Sequence, residues 1–337
     1  MKAMENLPST EKAKMLPIVL LAPWLNSIKF ENTFERVELA IGKIPIIVDL
    51  DRDYKSASTL QSRQYFRSLL SGETAAENWM NLIETHENYI PVVQDYGNDA
   101  QISYQIEKFK NFGRGYGFRV SATRTGAIDF VLKWLDREHL QNQIIILDGG
   151  WQDYSSEQEM VFTTKIEKLI KEVPEARFVV TSSNFPNSFT EFDEVSPVTI
   201  DSRILYTRLF ARFGNYQMYY GDWASTKPRR YDGGGAKPLD RIDFPTKDRW
   251  IIARSKEQEW DFVEAAKRVS RLPEWASRPQ IWGTALIEKT ARNLPGSITT
   301  GPQAIAARVN IHLFLQNNYG TTDLSSVPTV SEWVDPI

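Results

Sequence analysis

Aspartates stand at or just beyond the ends of short apolar runs in this chain: Asp49 and Asp51 after one run, Asp95 at the next, Asp148 and Asp222 at later ones. Carboxylates so placed can hold a hard cation, orient a water, or divide into acid and base where their environments separate their pKa values. Asp49 and Asp51 are alternate residues, which point the same way on an extended chain and can share one ion or one substrate group. Asp49, Asp51 and Asp148 form the expected metal set, for Mg²⁺ or Mn²⁺, and Asp49, Asp148 and Asp222 the expected catalytic set. Strand-end Asp also caps helices and fixes turns, and residue type alone does not separate these roles at any one position. Arg119 lies inside an apolar run, where an unpaired guanidinium is costly, so it is expected to pair with one of these carboxylates or to reach an anionic ligand. Ser183, Asn184, Trp223 and Arg254 fall at the ends of further runs and join Arg119 as expected substrate contacts. Arg229 and Arg230, beside Lys227 and Tyr231 in a basic stretch, complete that set.

The elements that must position these residues form a rhythm. Eight runs rich in β-branched residues, Pro17–Ala22, Ile44–Leu50, Tyr89–Asp95, Tyr116–Ser121, Gln143–Asp148, Ala176–Ser182, Tyr216–Gly221 and Arg249–Arg254, are mostly followed by helix-patterned stretches. Most runs are continuous rather than alternating, as strands buried on both faces of a parallel sheet require. The rhythm predicts an α/β fold, a single (β/α)8 TIM-like barrel over residues 16–272, with a lead-in over 1–15 and a C-terminal helical extension over 273–337 packed on the barrel. In that architecture the chemistry sits where strands end, on the loops leading into helices. Asp222 to Asp248 has little helical pattern and contains the basic stretch and Gly233 to Gly235, which predicts a mobile cover over the mouth. Gly113-Arg-Gly-Tyr-Gly117 precedes a strand instead of following one, so it reads as a tight turn and not as a phosphate loop, and no organic cofactor is indicated.

The composition narrows the chemistry further. The chain has 337 residues, 42% apolar and 25% charged, with ten Trp, no Cys and three His. Cysteine nucleophiles, thiolate metal sites and disulfides are excluded, and His86, His139 and His312 leave little for a histidine metal centre. A net charge of −3 gives no global attraction to nucleic acid or anionic membrane. No apolar run approaches the length of a membrane span or a signal core, so no membrane contact is expected and the cytoplasm is the expected compartment.

The order of segments resembles the beta family proteins of phages and bacterial genomes. The resemblance rests on Pro45-Ile-Ile-Val-Asp-Leu50, Gly117-Phe-Arg-Val120, Ile144-Ile-Ile-Leu-Asp148 and Ser182-Ser-Asn-Phe-Pro-Asn-Ser188, then Tyr220-Gly-Asp-Trp-Ala224, Asp248-Arg-Trp-Ile-Ile-Ala-Arg254, Gly301-Pro and Asn310-Ile-His312. It spans nearly the whole chain, and the first strand, with only Lys29 near, departs from it. The resemblance implies attention to Asp49, Arg119, Asp148, Ser183, Pro186, Asp222, Arg254, Asn310 and His312, and a setting in phages and defence loci rather than a defined reaction.

Two functions follow as expectations. One is binding of a phosphate-bearing small molecule, a nucleotide or a nucleic-acid end at the strand C-terminal mouth, with metal-assisted, phosphodiesterase-like hydrolysis as its catalytic form. The other is a sequestration or protein-interaction module of phage–host conflict, capturing a signal molecule or partner without turnover. Carboxylate-only glycoside chemistry is disfavoured because no distinctive Glu pair stands at strand ends.

Overall fold

The computed structural model describes residues 1–226, 240–255, 257 and 259–321. Two helical turns, α1 (Lys2–Glu5) and α2 (Ser9–Lys12), lead into β1 (Ile18–Leu21), α3 (Glu31–Ile41), β2 (Ile46–Leu50), α4 (Gln61–Leu70), α5 (Ala75–Glu84) and β3 (Tyr89–Pro91). There follow α6 (Asp99–Phe112), β4 (Tyr116–Ser121), α7 (Ala127–Trp134), β5 (Gln143–Trp151), α8 (Ser156–Glu172) and β6 (Phe178–Ser183). The chain continues through β7 (Val195–Thr199), α9 (Asp201–Phe213), β8 (Met218–Asp222), β9 (Arg241–Pro245) and β10 (Arg249–Arg254). It ends in α10 (Phe262–Ser270), α11 (Trp282–Ala291) and α12 (Gly301–Asn317).

The fold is mixed α/β with parallel sheets. β1, β2 and β3 form one parallel sheet and β4, β5, β6 and β8 another. A parallel bridge from Val92 to Gly117 joins the two, so seven of the eight expected runs lie side by side in chain order. Helices between consecutive strands return the chain for parallel pairing. Their ends are set locally: Ser155 Oγ accepts from the Gln158 amide at 3.1 Å to open α8, and Asn98 Oδ1 accepts from Ala100 N at 2.9 Å to open α6.

The eighth run departs from the expectation. Arg249–Arg254 is a strand, but β10 pairs antiparallel with both β7 and β9, in a separate sheet of order β7-β10-β9. Among the described residues no ladder joins β8 back to β1, so a closed eight-stranded ring is not what the pairing gives. The reason is the short connection from β9 to β10, Thr246 to Asp248, which folds the chain back as a hairpin where a parallel pair would need a long crossover. The strand β9 lies inside the segment expected to be a cover. Lys227, Arg229, Arg230, Tyr231 and Gly233 to Gly235 lie outside the described residues.

The inner parallel strands bury two faces. Ile46, Val48, Leu50, Phe118, Val120, Ile145, Leu147, Phe178 and Val180 pack in a large core against the helices. The alternate residues Ile47, Val92, Ile146 and Val179 form a small cluster on the other face. A further core unites β9, β10, α10, α11 and α12 with Leu7 and also packs Leu272. The first helical turn is fastened to it by Asn310, whose Nδ2 donates to the Ala3 carbonyl at 2.9 Å. Among the described residues no helix is long and apolar enough to cross a membrane.

Candidate functional site

The second face of the parallel strands ends in polar residues. Period-two alternation carries it from Ile47 to Asp49 on β2, from Gly117 to Arg119 on β4 and from Ile146 to Asp148 on β5. The three side chains meet. Arg119 Nε and Nη2 donate to Asp148 Oδ2 at 3.0 and 2.6 Å, and Nη1 donates to Asp49 Oδ2 at 3.0 Å. Asp49 Oδ1 also accepts from its neighbour Leu50 N at 2.7 Å and from Gln94 Nε2 at 2.6 Å. Asp148 Oδ1 accepts from Gly150 N at 2.9 Å and from Trp223 Nε1 at 3.2 Å. Gly150, at a φ of +67°, belongs to the β-bulge where β5 slips register against β6, and this turn aims its amide back at the carboxylate.

Trp223 roofs the group. The Arg119 guanidinium lies 5.2 Å from its ring centroid, and Trp151 packs on the same indole at 4.4 Å and 34°. Gln94 is held in turn by α6, exchanging hydrogen bonds of 2.9 Å between its backbone and the Gln105 amide, while its Oε1 accepts from Arg52 Nη2 at 3.1 Å. Burial pulls the Arg119 pKa down, but Asp148 and Asp49 outweigh it and hold the guanidinium above its ordinary value. Two carboxylates thus share one permanently charged guanidinium.

The other expected site residues go elsewhere. Asp222 lies on the opposite face of β8, because Gly221 takes the position against Val179 and Thr181, where a Cβ would come within 2.9 Å of the Val179 side chain. Its Oδ2 accepts from Tyr220 Oη at 2.7 Å and lies 2.7 Å from His312 Nε2 on α12, while Oδ1 accepts from Ala224 N at 2.7 Å. Burial would raise the Asp222 pKa, but the charge and hydrogen bond of His312, with Tyr220 and Ala224, lower it to about 2. It does not join Asp49 and Asp148, and it ties β8 to α12. Asp95 pairs with Arg124 at 2.7 Å. Asp51 Oδ1 accepts from Asp53 N at 3.3 Å in the turn after β2.

Ser183 Oγ accepts from Phe185 N at 3.2 Å, and Asn184 bridges the Thr199 carbonyl and the Asp201 amide, each at 3.0 Å, so both shape the loop that leads to β7 and α9. Arg254 sits in the antiparallel sheet and donates to the Phe189 carbonyl. The expected metal set does not fit a dication. The Arg119 guanidinium bridges Asp49 and Asp148, and among the described residues the one cluster of three or more such residues with ligand atoms close enough to share an ion is Asp136, Glu138 and His139, just after α7. The group missed from sequence is Gln94, Trp151 and Arg52. Counting by two from Ile90 and Val92, which lie in the second-face cluster, gives Gln94 rather than Asp95.

A groove of about 900 Å³ lies away from this site, between α11 and the start of α12 with Trp282, Leu286 and Lys289 on its walls.

Known proteins place the chain. It is 26% identical over 320 residues to Protein beta of Enterobacteria phage P4, an overlap covering 93% of this chain and 88% of that protein. No solved structure matches it. The model of the Beta protein family matches residues 1–317, across every strand and helix described above, and the chain belongs to that family.

Proposed function

We propose that the ends of the parallel strands form a capture site for a ring-bearing polar ligand of the nucleotide class, held without turnover. The observation that carries this reading is the bridge Asp49–Arg119–Asp148 under Trp223. Both carboxylates are engaged, so neither is left to act as a general base, and the guanidinium between them excludes a metal-bound water. What this end of the molecule offers a ligand is different: the half-buried indoles of Trp151 and Trp223 for stacking, and the exposed Arg52 guanidinium for hydrogen bonds to a polar ring or its phosphate. Supporting the reading, Ile47, Val92, Ile146 and Val179 pack together on this face of the parallel strands below the site.

Titration calorimetry with a panel of nucleoside mono-, di- and triphosphates, followed by chromatography of the incubated ligand, tests it. The expected result is saturable binding of one class, unchanged ligand, no dependence on Mg²⁺ or Mn²⁺, and at least a tenfold loss of affinity in Trp223→Ala. Metal-dependent product would replace capture by hydrolysis. Absence of binding across the panel would turn attention to a protein partner.

A further inference from the structure

Beyond the strand-end site, β9, β10 and α12 gather three arginines around one acid. Arg241 and Arg254 are directly opposed in the β9–β10 ladder and so share a sheet face, and Asp243 stands two residues from Arg241 on that face. Arg241 Nε donates to the two Asp243 oxygens at 2.9 and 3.1 Å, and Arg308 of α12 donates to Asp243 Oδ2. Arg254 donates to the Phe189 carbonyl, and among the described residues it ion-pairs with no carboxylate. The cations are fixed by rings: Arg241 lies 3.6 Å from the Phe189 centroid and Arg308 4.0 Å from that of Phe185.

Arg254 is 6% exposed and Arg308 2%, so two of the three cations are nearly out of water. Buried charge is normally compensated, and among the described residues Asp243 is the carboxylate that pairs within this group, offsetting one charge of three. Arg308 Nε is buried with no hydrogen-bond partner. Burial, opposed by Asp243 and reinforced by Arg241, brings Arg308 to about 10, which leaves it charged at neutral pH. Burial and Arg241 likewise lower Arg254.

We infer that Arg241, Arg254 and Arg308 form a binding site for a phosphate dianion, either free or as the terminal phosphate of a larger molecule. A dianion matches the two charges that no carboxylate among the described residues offsets, and guanidinium forks match its oxygens. Arg241, with 17% of its side chain exposed, is the side from which the anion reaches the others.

The full chain titrated with inorganic phosphate, against chloride at matched ionic strength, tests the site by calorimetry and thermal melting. Phosphate is expected to bind saturably and to raise the melting temperature, with chloride inert. Arg254→Gln and Arg241→Gln are each expected to weaken binding at least tenfold while circular dichroism stays unchanged, and Trp223→Ala is expected to bind phosphate as the parent does. That last arm keeps failure here distinct from failure of the strand-end reading. A 5′-phosphorylated hexanucleotide against its dephosphorylated form separates the two sources, tighter binding of the phosphorylated form assigning a nucleic-acid end and equal binding of hexanucleotide and phosphate assigning the free ion. No saturable phosphate binding, or parent affinity in both arginine variants, would overturn the site. Should one variant fail to fold, the other decides.

Discussion

Arg119 and the trio Arg241, Arg254 and Arg308 are buried in opposite electrostatic company. At the strand ends two carboxylates share one guanidinium, and on the antiparallel sheet the Arg241 and Arg308 guanidiniums share one carboxylate with Arg254 opposite Arg241 in the ladder. The same side-chain type therefore closes one site and leaves the other open. Asp49 and Asp148 complete their hydrogen bonds from Arg119, Gln94, Leu50, Gly150 and Trp223, so that cluster is internally finished and presents indole faces outward. Among the described residues the second cluster has one carboxylate for three guanidiniums, and an anion from outside is what would complete it.

The sharpest way to break the contrast is to delete one guanidinium from each side. Arg119→Met is expected to cost about 3–5 kcal/mol, because it strands two buried carboxylates. Arg254→Met is expected to stay within about 1 kcal/mol of the parent, since it removes a charge repelled by Arg241 and keeps the aliphatic stem. Urea unfolding at neutral pH without phosphate measures both, and equal losses would erase the distinction.

Asp222 sharpens the comparison from the seam between the two regions, where β8 meets α12. Its folded-state pKa of about 2 lies below the ordinary 3.8, so its contribution is fully present above about pH 4 and lost as pH falls through about 2. The shift corresponds to about 2 kcal/mol. Asp222→Asn is expected to lose that much at neutral pH and to flatten the acid limb of the stability profile between about pH 4 and pH 2. An acid limb identical to the parent's would remove Asp222 from the account. The smallest expected effect is that of Trp223→Phe, which keeps a ring over Arg119 and deletes the 3.2 Å hydrogen bond to Asp148, costing about 1 kcal/mol in the same unfolding assay. A loss as large as that of Arg119→Met would mean that the roof, and not the ion pair, holds the strand ends together.

Much of this was legible in the chain. The seven parallel strands follow from continuous β-branched runs, since burial on both faces leaves that pattern. The pairing of Arg119 with strand-end carboxylates follows from the cost of a buried charge, and both partners, Asp49 and Asp148, stand among the residues singled out. The placement of Asp222 apart from Asp49 and Asp148 was not legible from its position just past a run, because facing is set by alternation along the strand. Gly221 and the odd-numbered positions of β8 share the second face, and Asp222 falls between them. Strand β7 escaped notice because Pro197 breaks its pattern, and proline is tolerated there because β7 is the edge of its sheet.

The sequence by itself determined which segments are strands and which charged residues cannot stay unpaired, because both follow from local pattern and desolvation. It did not determine the direction in which Arg249–Arg254 pairs. A run buried on both faces reads alike in parallel and antiparallel sheets, and hydrogen bonds to β7 and β9, far apart in sequence from each other, decided it. Nor did it bring Arg308 to Asp243 or His312 to Asp222, since those contacts exist only because α12 packs across β8 and β9. Charge stoichiometry at each cluster is a property of such packing, and it is what separates the closed site from the open one.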